Sequence, residues 1–138
     1  MSDHAIMTTL KSGCALLAAG ITAIFGGWDM LMTALVVMAV ADYATGLVAA
    51  GINGRLDSRV GWKGILKKLL IFVAVAVAAT VDMATGLEGH PLRAAACLFY
   101  IGNEGISIVE NLGCAGVPIP ARMAALFQRL KDENDTER

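Results

Sequence analysis

The chain has 138 residues, the length of one domain. Hydrophobic residues make up 57% of it and charged residues 17%, with a mean hydropathy of +0.64. A soluble domain carries about 25% charged residues to cover its core, so this balance excludes a water-soluble fold and implies an integral membrane protein. The net charge of −1 says less than the placement of the charges along the chain.

A hydrocarbon core about 30 Å thick needs about 20 apolar residues in a helix. The first stretch that meets this is residues 12–28, which is nearly uncharged and follows Lys11. Its N-terminal side has no basic run, and no small-x-small cleavage site follows, so it is expected to be a retained span. Met7 offers a second start. A tight turn at Gly26-Gly27-Trp28-Asp29 leads into a second span, residues 30–50, broken only by Asp42. Residues 51–64 form a loop. With the start of the next helix it carries Arg55, Arg59, Lys63, Lys67 and Lys68 against one Asp57.

The third span is residues 69–87, broken only by Asp82, and residues 88–91 lead into a fourth, residues 92–112. Basic loops stay in the cytoplasm, so the loop at 51–64 sets the topology. Four spans then place both termini in the cytoplasm, with Arg122, Arg129 and Lys131 after the last span in agreement and Arg93 in mild dissent. Trp28 and Trp62 sit at membrane ends, where amphipathic rings settle. After Pro118-Ile119-Pro120, residues 120–131 place Met123, Leu126, Phe127 and Leu130 at helical spacing. This predicts a C-terminal amphipathic helix on the inner membrane surface. Residues 1–131 form a single membrane domain, and residues 132–138 a polar tail. The expected architecture is all-α, built of helical hairpins.

The fourth segment is unusual. At about 100° per residue, Tyr100, Asn103, Glu104, Ser107, Glu110 and Asn111 share an arc of roughly 120°. Leu98, Ile101, Ile108, Val109 and Leu112 lie opposite. Ionisable groups at membrane depth face a bundle interior or water. Asp42, Asp82, Glu104 and Glu110 are expected at depths that no lysine or arginine shares, so they either hold protons or reach water. Asn103, Glu104, Ser107, Glu110 and Asn111, with Asp42 and Asp82, are therefore candidates either to line an aqueous path or to form a dry network joining helices.

Small residues recur every fourth position: Ala15, Ala19, Ala23 and Gly27 in the first span, Gly46 and Ala50 in the second, where Asp42 shares the ridge, and Ala74, Ala78 and Gly86 in the third, where Asp82 shares it. Such ridges let helices approach closely, within one subunit or between copies. Arg55, Arg59, Lys63, Lys67 and Lys68 are candidates for topology and anionic lipid contact.

Chemistry is absent from the pattern. Cys14, Cys97 and Cys114 are an odd, unclustered set suited to packing rather than disulfides or zinc, and His4 and His90 have no ligand-spaced partners. No nucleophile–base pair, phosphate loop or dinucleotide fingerprint occurs. No enzyme, cofactor, metal or nucleic-acid partner is expected.

Two stretches carry a family resemblance. Residues 41–70 read ADYATGLVAAGINGRLDSRVGWKGILKKLL, and residues 98–120 read LFYIGNEGISIVENLGCAGVPIP. They resemble the bacteriophage holin family that includes toxin-secretion holins of clostridia. The family pattern is Asp-x-x-x-Gly in one span, Ser-x-x-Gly-x-x-Gly-x-x-x-Lys in the loop, and Asn-Glu-x-x-Ser-x-x-Glu-Asn before Gly-Val-Pro-x-Pro. Here these are Asp42 and Gly46; Ser58, Gly61, Gly64 and Lys68; Asn103, Glu104, Ser107, Glu110 and Asn111; Gly116, Val117, Pro118 and Pro120. The likeness spans residues 41–131.

It implies a small bacterial inner-membrane protein that forms homo-oligomers among membrane lipids and opens holes. Endolysin, or in related systems a toxin, then crosses as cargo rather than as a stable partner, and the host lyses. Members are often described with three spans, against the four counted here. The competing expectation is a small oligomeric ion channel, or a transporter coupled to protons or ions.

Overall fold

In the computed structural model, which describes residues 3–135, the chain forms five helices. They are α1 (Asp3–Ile24), α2 (Met30–Ile52), α3 (Ser58–Thr85), α4 (Pro91–Cys114) and α5 (Ala121–Asp135). The first four are long and apolar enough to cross a membrane. This agrees with an all-α membrane architecture of four spans. Met1 and Ser2, and residues 136–138 of the expected polar tail, lie outside the described residues.

Helix starts follow the caps. Asp29 accepts from the Met32 amide at 3.0 Å and opens α2, and Asp57 accepts from the Arg59 amide at 2.8 Å and opens α3. The second cap corrects the sequence expectation. The loop ends at Asp57, so Arg59, Trp62, Lys63 and Gly64 belong to the first turns of α3. α1 also begins earlier than residue 12, at Asp3, and within it the Thr8 and Thr9 hydroxyls donate to the carbonyls of His4 and Ala5. α5 runs through residues 132–135, which were expected to be tail.

α4 is the central helix, packed against α2, α3 and α5, whereas α2 and α3 meet over a short stretch, where Tyr43 lies against Gly61 and Gly64. The buried core is Met32, Leu35, Val75, Cys97 and Ile101, joined by Phe72, Tyr100 and Leu130. α1 buries no residue and stands against α3 only near its C-terminus, where Phe25 meets Phe72 edge to face at 6.4 Å.

α5 does not lie apart on a surface. It turns back along α4, and the Phe127 ring sits so close over Gly105 that no room is left there for a Cβ. Leu130 reaches the core cluster. The physical reason is local: buried Gly102 and Gly105 leave a smooth groove on α4, and the aromatic ring fills it. Ala124, Phe127 and Leu130 turn toward α4, while Met123 and Leu126 are exposed.

Candidate functional site: an intramembrane charge network and a polar hub

Lys68 lies on α3, one helix face with Gly61 and Gly64. A Cβ on either glycine would stand 3.4 Å from the Tyr43 side chain, so the Gly-x-x-Gly spacing lets Tyr43 of α2 lie against α3. This close approach carries Lys68 inward. Its Nζ donates to Asp42 Oδ2 on α2 and to Glu104 Oε2 on α4. The expectation of unpaired acids with no basic neighbour fails here. The flexible four-carbon stem carries the ammonium from a membrane-end position to the acids.

Asn111 completes the arrangement. Its Nδ2 donates to Asp42 Oδ1 at 2.9 Å, to the Asp42 carbonyl at 3.2 Å and to Thr45 Oγ1 at 3.2 Å. Gly46 sits beneath it, where a Cβ would be 3.4 Å from that nitrogen. One turn further, Asn53 Nδ2 donates to the carbonyls of Ala49 and Cys114 at 2.8 and 3.1 Å. Asp42, Lys68, Glu104 and Asn111 thus tie α2, α3 and α4 together. The Glu104 side chain is 3% exposed, Asp42 13% and Lys68 17%. Two carboxylates share one ammonium, so the ionised set carries one excess negative charge. Clefts of about 310 and 320 Å³ border the network; Ser107 borders both, and Asn103 the one beside α4.

A second polar cluster lies at the opposite end of the bundle. Asp82 is fully buried and accepts from the amides of Leu92 at 3.1 Å and Arg93 at 2.8 Å. It caps α4 from a neighbouring helix, because His90, the residue at the cap position, makes no side-chain cap bond. The Arg93 guanidinium donates to the carbonyls of Phe25 and Gly27 at 3.1 and 3.0 Å, and to Asp29 Oδ2. Gly26, at φ +67°, leaves space for the His90 ring above it. One residue therefore joins the end of α1, the start of α2 and, through Asp82, the end of α3. Burial pushes the Asp29 carboxyl up, but the Met32 amide and the Arg93 guanidinium outweigh it and hold the pKa below its usual value.

The structure divides the sequence candidates. Asp42, Glu104 and Asn111 meet in one network, and Asp82 stands apart as a helix cap. Glu110 is exposed. Gly46 and Ala50 border the α2–α3 cleft, and Ala74 and Ala78 are half-buried on α3. Ala15, Ala19 and Ala23 are exposed on α1, Gly27 is half-buried at the hub, and Gly86 ends α3 in the left-handed region at φ +67°. Arg55, Arg59, Lys63, Lys67, Trp28 and Trp62 are exposed, in contrast to Lys68. Arg93 and Asp29 went unrecognised as partners. Their signal was present: an arginine three residues into a helix that starts with proline, and an aspartate opening another at the same membrane end.

The family model for the bacteriophage holin family matches residues 19–132. An uncharacterized protein of Halalkalibacterium halodurans is 44% identical over 128 residues, covering 90% of this chain and 95% of its own. An uncharacterized 14.9 kDa protein of Clostridium perfringens is 37% identical over 128 residues, covering 93% and 97%. A protein of Bacillus phage phi105 named probable holin is 40% identical over 101 residues, covering 73% and 74%. No solved structure matches the chain. Four apolar spans, the charged residues inside them and a match over most of the sequence lead to one assignment: the chain belongs to the bacteriophage holin family.

Proposed function

We propose that the protein is a holin. Copies accumulate in the bacterial inner membrane, oligomerise and open holes through which an endolysin, or in an export system a toxin, reaches the far side. It catalyses no reaction. The basic residues at the start of α3 stay in the cytoplasm, as do the N-terminus and the turn between α4 and α5, and the Arg93 hub lies at the outer face. Ala15, Ala19 and Ala23, exposed on α1, supply a contact ridge between copies.

The observation that carries this reading is the ion-paired network inside a small multi-pass member of the holin family. In the closed subunit Asp42, Lys68, Glu104 and Asn111 hold three helices in register. Asn103, Ser107 and exposed Glu110 are the stripe residues left to meet water when subunits rearrange. The clefts beside Lys68 favour a second reading, an oligomeric channel or transporter for ions or protons.

Induction in a bacterium separates the two. A holin arrests growth abruptly and releases a cytoplasmic enzyme, with lysis when a peptidoglycan hydrolase is co-expressed. Loss of membrane potential without enzyme release supports the channel. Replacing Glu104 and Glu110 together by glutamine tests the stripe: unchanged timing and extent of release removes both from the opening step.

A further inference from the structure

α5 carries charge to a depth that lipid does not tolerate. From Cys114 back to Gly105 is nine residues of α4, about 13 Å at 1.5 Å per residue, and to Ile101 about 20 Å. Phe127 covers Gly105, and Leu130 joins the cluster that contains Ile101. Arg129 therefore stands near the middle of the span, and Asp132 and Glu133 beyond it. All three are exposed, as are Arg122 and Ala125 on the same outward side. Gln128 Nε2 donates to Asp132 Oδ1 at 2.9 Å across one turn of this surface. A charged face at mid-span is strongly disfavoured against hydrocarbon and is stable against water.

We propose that α5 is the lumen wall: its outward face, Arg122, Ala125, Arg129 and Asp132, lines the aqueous hole of the assembly. This rests on the hole-forming reading and changes which helix faces the water. Glu104, the deepest carboxylate on α4, is already paired with Lys68, whereas α5 presents Arg122, Arg129 and Asp132 outward, beside exposed Leu126, with Phe127 set over Gly105 of α4. An amphipathic helix docked in this way supplies a hydrated wall without breaking the network that joins α2, α3 and α4.

The test uses the full chain in bacterial membranes, with Cys14 and Cys114 replaced by serine and buried Cys97 retained. Single variants Ala125→Cys and Arg129→Cys, on the outward face, are treated after triggering with a membrane-impermeant thiosulfonate reagent. Ala124→Cys, facing α4, is the comparison. Complete modification at 125 and 129, with 124 protected, is expected. In parallel, Gly105→Cys with Phe127→Cys is oxidised in the triggered membranes. An intrachain disulfide is expected and fixes α5 at mid-span. If that pair does not accumulate, Ile101→Cys with Leu130→Cys serves the same purpose.

Failure of the disulfide, or a disulfide with positions 125 and 129 unmodified, overturns the α5 wall. Release of a cytoplasmic enzyme is recorded in every sample. Release without modification at 125 and 129 removes the α5 assignment and leaves hole formation standing. Absence of release removes hole formation itself, whatever the labelling pattern.

Discussion

Lys68→Met is the sharpest perturbation of the network. Methionine keeps most of the side-chain length and removes the ammonium that Asp42 and Glu104 share. Removing one partner of a buried ion pair costs about 3–5 kcal/mol, because a charge stays behind without compensation. The Asp42 carboxylate keeps the Asn111 amide, and Lys68 itself is 17% exposed, which softens the loss. Glu104, 3% exposed, bears most of it. The expected cost is therefore at the lower end of that range, about 3 kcal/mol.

The assay is reversible unfolding in mixed micelles, titrated with a denaturing detergent and followed by helix content. Lys67→Met, at the neighbouring exposed position, is the control and shifts the midpoint by less than about 0.5 kcal/mol. The triple variant Lys68→Met, Asp42→Asn, Glu104→Gln removes all three charges and recovers to within about 1 kcal/mol of the parent, since neutral replacement of a whole buried pair is often tolerated. A Lys68→Met midpoint equal to the parent, or a triple variant less stable than the single one, would refute the argument that charge compensation holds these helices together.

Gly105→Leu forces Phe127 out of its groove and destabilises by about 1–3 kcal/mol as overpacking, and adding Phe127→Ala recovers part of that in the same titration. Arg93→Met frees the end of α1; proteolysis between residues 24 and 30 accelerates, and Arg93→Lys does not restore protection because one ammonium lacks the planar fork that reaches two carbonyls and a carboxylate. Asp29 gives an acid limb to stability. Its folded pKa lies below the unfolded value of about 3.9, so its contribution is complete above that value and disappears as pH falls through the folded pKa. Unfolding midpoints measured from about pH 6 down to about pH 2 show the limb, and Asp29→Asn flattens it.

The span count was legible because composition alone makes these helices insoluble without lipid. The helix starts were less so. Asp57 could be recognised as a cap, but Gly61 and Gly64 resemble loop residues until Tyr43 is seen lying against them. The polar stripe of α4 was visible from its spacing, as was the choice between a wet path and a dry network. The partner was not visible: Lys68 looked like a membrane-end charge, and only the approach of α3 to α2 brings its ammonium to Asp42 and Glu104. Asp82 shared a small-residue ridge in the sequence, yet its carboxylate caps a helix ten residues further on.

By itself the sequence determined the class, the four spans, the amphipathic C-terminal helix and the family, because each follows from local hydrophobicity or from motifs of fixed spacing. The tertiary structure decided where the charges go. A lysine or arginine stem reaches several ångströms, and a carboxylate accepts from any donor at the right distance, so the pairing depends on how closely helices pack rather than on their separation along the chain. The same reason governs α5: its pattern fixed that it is helical and two-faced, and the groove at Gly105 decided that its apolar face meets α4.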